Sequence, residues 1–119
     1  MSFSFDNSEI QALTTTFTGA SRKALSRAVA VVRKSTFDVV RVGKRNAPVD
    51  TGNLRSSITG NTAGTGLVGE AGPTANYGGF VERGTSRMAP QPYMAPALDA
   101  VEPSFMEAMA RAGEEALDD

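Results

Sequence analysis

Residues 20–48 read ASRKALSRAVAVVRKSTFDVVRVGKRNAP, and this stretch decides the architecture. Placed at 100° per residue, Arg22, Lys23, Arg27, Arg33, Lys34, Arg41, Lys44 and Arg45 fall within an arc of about 140°. The opposite arc carries Ala24, Leu25, Ala28, Val29, Val31, Val32, Val39 and Val42. One basic stripe and one wide apolar face define an amphipathic helix, even with five valines on the apolar side. The helix should run from about Ala20 to Asn46 and stop at Pro48, whose ring disfavours the helical conformation of the residue before it. At 1.5 Å per residue it would span roughly 40 Å. Ala30, Phe37 and Val40 fall on the basic side, where a solvated helix gains nothing from exposing Phe, so a neighbouring subunit is expected to cover them.

Upstream, residues 2–5 alternate Ser and Phe as a short strand would. Asp6 followed by Glu9 gives a helix-start signature, and Ile10, Leu13 and Phe17 continue at helical spacing until Gly19 weakens the segment. Downstream of Pro48 the chain turns to Thr, Ser, Gly and Asn. Two strands are expected near Leu54–Thr59 and Leu67–Ala71, joined by a flexible Gly-rich turn over 60–66. Residues 77–84 suggest a short helix with two loosening glycines, and 85–92 a proline-containing loop. From Met94, apolar residues at steps of three and four (Leu98, Val101, Phe105, Met109, Ala112) predict a C-terminal helix that Pro103 should kink or restart. Its outer positions, Asp99, Glu107, Glu114, Glu115 and Asp118, make it an electrostatic mate for the basic stripe, within one chain or between chains. The expected fold is an α+β domain over residues 1–119: a small antiparallel β-sheet packed by a long N-terminal helix and a C-terminal helix.

A chain of 119 residues, 40% of them hydrophobic, can build one modest core. No segment approaches 18 consecutive apolar residues, and the start Met1-Ser2-Phe3-Ser4-Phe5-Asp6 lacks a basic region and an apolar run. These features predict a soluble protein made in a cytoplasm, with no membrane partner. Cys and His are both absent, which removes disulfides, thiolate and imidazole metal sites, and Cys or His catalysis. The net charge of −1 conceals an asymmetry: residues 1–50 hold eight basic and four acidic side chains, residues 51–119 four basic and nine acidic. Halves of +4 and −5 attract each other, by folding together or by joining copies head to tail.

Two short motifs have chemical readings. Asp50-Thr51-Gly52 is the tripeptide of aspartic proteases, whose small members dimerise so that two aspartates share a proton. That chemistry needs an all-β setting, whereas here a long helix leads into the motif, so a turn is the better reading, with Asp50 capping local amides and Gly52 supplying the backbone freedom. Residues 64–69 have the spacing G-x-G-x-x-G, yet they lead into a strand rather than a helix, which fits a hairpin tip and no nucleotide cofactor. The basic stripe makes a DNA-binding protein the main alternative function. Glu70, Glu82 and Asp50 have no spacing that singles out a catalytic or metal-binding set.

Two blocks carry a family resemblance. Residues 47–58 read APVDTGNLRSSI and residues 77–98 read YGGFVERGTSRMAPQPYMAPAL. Together they resemble the gene-product-ten-like neck proteins of tailed bacteriophages, also described as tail-completion, head-tail joining or minor tail proteins. The chain departs from the family pattern at Gly78 and Gly79, where Ala and another residue are common, at Arg83, which replaces an aromatic, and at Tyr93-Met94, which stands for Phe-Leu.

The resemblance implies a virion structural protein in the neck, synthesised in the host bacterial cytoplasm, with no catalysis and no cofactor. It implies a homo-oligomeric ring, hexameric or dodecameric, between head connector and tail-tube or tail-terminator proteins, with a lumen for genomic DNA. On this reading Pro48, Asp50, Thr51, Gly52 and Leu54 end the long helix and aim the first strand. Tyr77, Phe80 and Val81 pack the second block on the sheet, with Gly84 closing it. Glu82 and Arg83, with Thr85, Ser86, Arg87, Met88, Pro90, Gln91 and Pro92, are expected to contact adjacent subunits or the next ring.

Overall fold

The long helix is α1 (Arg22–Asn46), and its buried positions form one stripe: Ala24, Ala28, Val32, Ser35, Thr36, Val39 and Gly43. The computed structural model describes residues 2–5, 11–14, 22–48, 52–75 and 77–118. Most of the stripe is small, so neighbouring elements approach α1 closely, whereas the bulkier Leu25 at its margin is 36% exposed. Thr36 is tolerated at 1% exposure because its hydroxyl donates to the Val32 carbonyl at 2.7 Å.

Around α1 the chain places β1 (Ser2–Phe5), β2 (Gln11–Thr14), α2 (Asn53–Ser57), β3 (Ile58–Ala63), β4 (Val68–Pro73), α3 (Gly78–Arg83) and α4 (Met94–Asp118), an α+β arrangement. The four strands form an antiparallel sheet of order β1-β2-β4-β3. The hairpin β3–β4 pairs from Ile58 opposite Pro73 to Ala63 opposite Val68, and β2 adds on the other side of β4 with Leu13 opposite Gly69. Four sequence expectations need correction here. Residues 11–14 are strand rather than helix: the other edge of β4 offers unpaired backbone groups, and satisfying them outweighs the local helical spacing. Asp6, Glu9, Ile10 and Phe17 lie outside the described residues. Residues 54–57 form a helical turn before the strand begins, with the Ser56 amide on the Gly52 carbonyl at 3.0 Å and the Ser57 hydroxyl on the Leu54 carbonyl at 2.8 Å. That turn brings Leu54 and Ile58, four residues apart, into one core. Finally, residues 60–63, expected in the Gly-rich turn, belong to β3, and the turn is confined to 64–67; α4 runs through Pro103 without restarting.

The strand alternation places Ile58, Gly60 and Thr62 of β3 opposite Pro73, Ala71 and Gly69 of β4, so these six share one face. That face lies under α1. A side chain at Gly69 would meet the Thr36 hydroxyl, and one at Gly60 would meet Val40 at 2.7 Å. The absent side chain at Gly69 is thus what seats the helix on the sheet. On its other flank α1 runs antiparallel to α4, with Gly43 near Met94 and Val32 packed on Phe105. The larger core cluster joins Val39, Leu54, Ile58 and Ala71 to Tyr93, Met94, Ala97, Leu98 and Val101. Full burial of side chains such as Phe105 and Ile58 contributes about 1.5–3 kcal/mol each. Across the seam Arg27 also meets Glu115 at 3.7 Å, both half-exposed, a contact of at most about 1 kcal/mol.

Gly69→Ala should destabilise the fold by about 1–3 kcal/mol, because the new methyl displaces Thr36 and breaks its hydroxyl contact. Gly113→Ala, where a side chain meets nothing within 4 Å, should stabilise by about 0.5–1 kcal/mol. Urea unfolding of both variants measures the difference.

Candidate assembly surface

At one end of the antiparallel α1–α4 pair, α3 and the loop that follows it are tied to the start of α4 by a single buried carboxylate. Glu82 is 7% exposed. Its Oε1 accepts the backbone N–H groups of Tyr93 at 3.1 Å and Met94 at 2.8 Å, and its Oε2 accepts that of Ala95 at 3.2 Å. The first amides of a helix have no partner inside the helix, and the helix start carries partial positive charge, so a carboxylate satisfies both demands. Tyr93, 1% exposed, completes the joint by donating its hydroxyl to the Gly78 carbonyl at 2.9 Å. Gly78 and Gly79 are both buried in α3, and a side chain at Gly78 would collide with Pro73 and the Tyr93 hydroxyl.

Between these anchors the loop is pinned at several points. The Gly84 amide bonds to the Phe80 carbonyl at 2.8 Å, Thr85 and Met88 exchange backbone bonds, and the Gln91 amide reaches the Val81 carbonyl at 2.8 Å. The Arg87 amide bonds to the Thr85 hydroxyl at 3.2 Å. Gly84 has φ 76° and ψ 175°, a conformation that only glycine adopts readily, and a side chain there would lie 2.7 Å from the Pro90 nitrogen. Thr85, Ser86, Arg87, Pro90, Gln91 and Pro92 are exposed, Met88 half-buried and Arg83 exposed.

Two sequence expectations fail at this end. Glu82 is an internal brace rather than a surface contact, since its oxygens are engaged with the amides that open α4. Tyr77 and Phe80 do not pack on the sheet; they are 43% and 56% exposed, while Val81 alone packs against the core. With Val81 and Glu82 directed inward, helical periodicity turns Phe80 outward, while Tyr77 precedes the helix. One sequence signal pointed to the brace: Pro92-Tyr93 before α4 offers no Ser, Thr, Asp or Asn to cap it, so the cap had to come from elsewhere in the chain.

The remaining motif residues are dispersed. Pro48 follows the end of α1, and Asp50 and Thr51 lie outside the described residues. Gly52, at φ 78°, and buried Leu54 belong to the turn into α2. The tripeptide is flanked by α1 and α2, not by the strands an aspartic protease site requires. Residues 64–66 form a 3-10 turn between β3 and β4, with Gly66 against Val29 of α1, and lead into a strand. Of the basic stripe, Arg22, Lys23, Arg33, Lys34, Arg41 and Arg45 are exposed, Arg27 and Lys44 half-buried. Asp38 interrupts it, meeting Lys34 at 2.8 Å and Arg41 at 3.5 Å. Among the described residues no acidic cluster could hold a metal ion, and no helix is long and apolar enough to cross a membrane.

The family model for bacteriophage HK97 gp10, described as a proposed tail component, matches residues 11–84, from β2 to the end of α3. No curated protein and no solved structure matches the chain.

Replacing Glu82 tests the brace. Glu82→Ala should cost about 3 kcal/mol by removing an acceptor shared by three amides, and Glu82→Gln, which keeps an acceptor oxygen, about 1 kcal/mol. Chemical denaturation gives the totals, and amide exchange should speed up at Tyr93, Met94 and Ala95 before it does along β4.

Proposed function

The chain belongs to the HK97-gp10-like family of bacteriophage tail components, and on that premise we propose that it is a non-enzymatic subunit of the phage neck. Copies form a ring that joins the head connector to the tail tube and leaves a channel for DNA. The protein is made in the host cytoplasm and ends in the virion at the head-tail interface.

The observation that carries this reading is the braced end of the molecule. Tyr77 and Phe80 expose aromatic surface beside a loop held by Glu82, Gly84 and Gln91. Exposed aromatics next to an Arg are the composition of an interface centre, and a loop already fixed by prolines and backbone bonds loses little entropy on docking. This end sits where α1 finishes and α4 begins, with the Asn46 side-chain amide 3.4 Å from the Tyr93 carbonyl, so it crowns the long axis of the helix pair. A surface at the end of that axis suits contact with the ring above or below. The protein overall measures 55 × 22 × 20 Å, so its flanks are free to meet sister copies.

Native mass spectrometry of the protein alone and with connector or tail-tube protein tests the proposal; a closed ring, alone or on a partner, is expected, and a dimer indifferent to both partners would contradict it. The variant carrying Phe80→Ser and Arg87→Glu should keep the unfolding free energy within about 0.5 kcal/mol of the parent, because both side chains are exposed. It should fail to join heads to tails in a complementation assay.

A further inference from the structure

We infer that copies of this chain associate side by side through two unlike helix faces, the Phe37 face of α1 on one copy and the Met106 face of α4 on the next. The inference rests on the ring reading above and names the contact that would build it. Phe37 is 51% exposed and Met106 52% exposed, each near the middle of a 25-residue helix.

The surroundings of the two residues are complementary. Within about 60° of Phe37 on the helical wheel lie Arg33, Lys34, Arg41 and Lys44; Asp38, about 100° round, pairs with Lys34 and Arg41, and the face keeps a net positive charge. Within about 40° of Met106 lie Asp99, Glu102 and the small residues Ala110 and Gly113, and no basic residue. Small residues beside Met106 allow a second helix to come near, and Gly113 has open space above it. The faces cannot meet inside one chain. A groove of about 430 Å³ runs between α1 and α4, with Ser104 and Ala108 on its α4 wall. Met106, two residues from each, points about 160° away from it. Phe37 lies about 140° round α1 from Val32, which packs on Phe105, and so faces away from α4.

Charge also selects the mode of pairing. Phe37 face on Phe37 face would juxtapose two basic stripes, and Met106 face on Met106 face two acidic ones; like charges brought together disfavour both. The unlike pair places an apolar anchor against an apolar anchor, rimmed by opposite charges, as in a binding centre with a polar rim. A contact between two different patches repeats from copy to copy, and it closes into a ring when the rotation permits.

Cysteine cross-linking is decisive because the chain has no cysteine of its own. Full-length protein carrying both Phe37→Cys and Met106→Cys should give, under mild oxidation, a ladder of covalent multimers rising to the ring size, while each single variant gives none. Arg33→Glu with Arg41→Glu, introduced into that double-cysteine protein, should lower ladder yield at least tenfold. Asp99→Arg with Glu102→Arg in the same chain should restore at least half of it. Circular dichroism checks that every variant is folded. A dimer from either single variant overturns the unlike pairing. No ladder from protein that light scattering shows to be assembled overturns this interface and leaves the ring standing; no assembly alone or with connector protein overturns both.

Discussion

The acceptance of three successive amides at the entry to α4 by the buried Glu82 carboxylate is the constraint on which the rest of this molecule depends. α4 opens without a capping side chain of its own, and α3 is six residues long with two glycines, too short to hold its own conformation. Each supplies what the other lacks. Because Glu82 is fixed at the α4 start, Tyr93 is carried into the core beneath Gly78, and residues 84–92 are left to form a closed excursion whose ends cannot drift. The exposed aromatic pair and the loop are therefore presented as one rigid surface rather than as a flexible strap.

A second constraint works through missing atoms. α1 must touch the sheet on one flank and α4 on the other, and it does so with a stripe of mostly small residues against Gly60 and Gly69 on one side and Met94 on the other. The helix is thereby sunk between its neighbours, and its outer face is left with basic residues around Phe37. On α4, Asp99 and Glu102 lie on the Met106 side, away from the seam, whereas Glu115 reaches across it to Arg27. Exposed salt bridges add little to this arrangement: Lys34–Asp38, Arg41–Asp38 and Arg111–Glu107 are pairs along a single helix.

Long-period patterns were legible in the sequence and short ones were not. Twenty-five residues of α1 and the regular apolar steps of α4 carry enough repeats to identify helix, and the glycine cluster after β3 marks the hairpin tip. Gln11–Thr14 was misread because four residues fit either period, and only the free edge of β4, more than fifty residues away, decides between them. The segment before Ile58 was misread for a similar reason: one helical turn and one alternating strand both bring Leu54 and Ile58 inward. At the candidate surface, the resemblance located the loop and the block containing Glu82, but not the direction of its side chain. A cap supplied across eleven residues leaves no local pattern, so Glu82 was placed outside and Phe80 inside, the reverse of what the joint with α4 enforces.

A role for this protein where heads meet tails is best tested with a phage carrying a nonsense allele of its gene, grown in a non-suppressing host and inspected by negative-stain electron microscopy. Separate, normally shaped heads and full-length tails are expected, with joining recovered when purified protein is added to the lysate. Joined particles formed at the normal frequency without the protein would contradict that role.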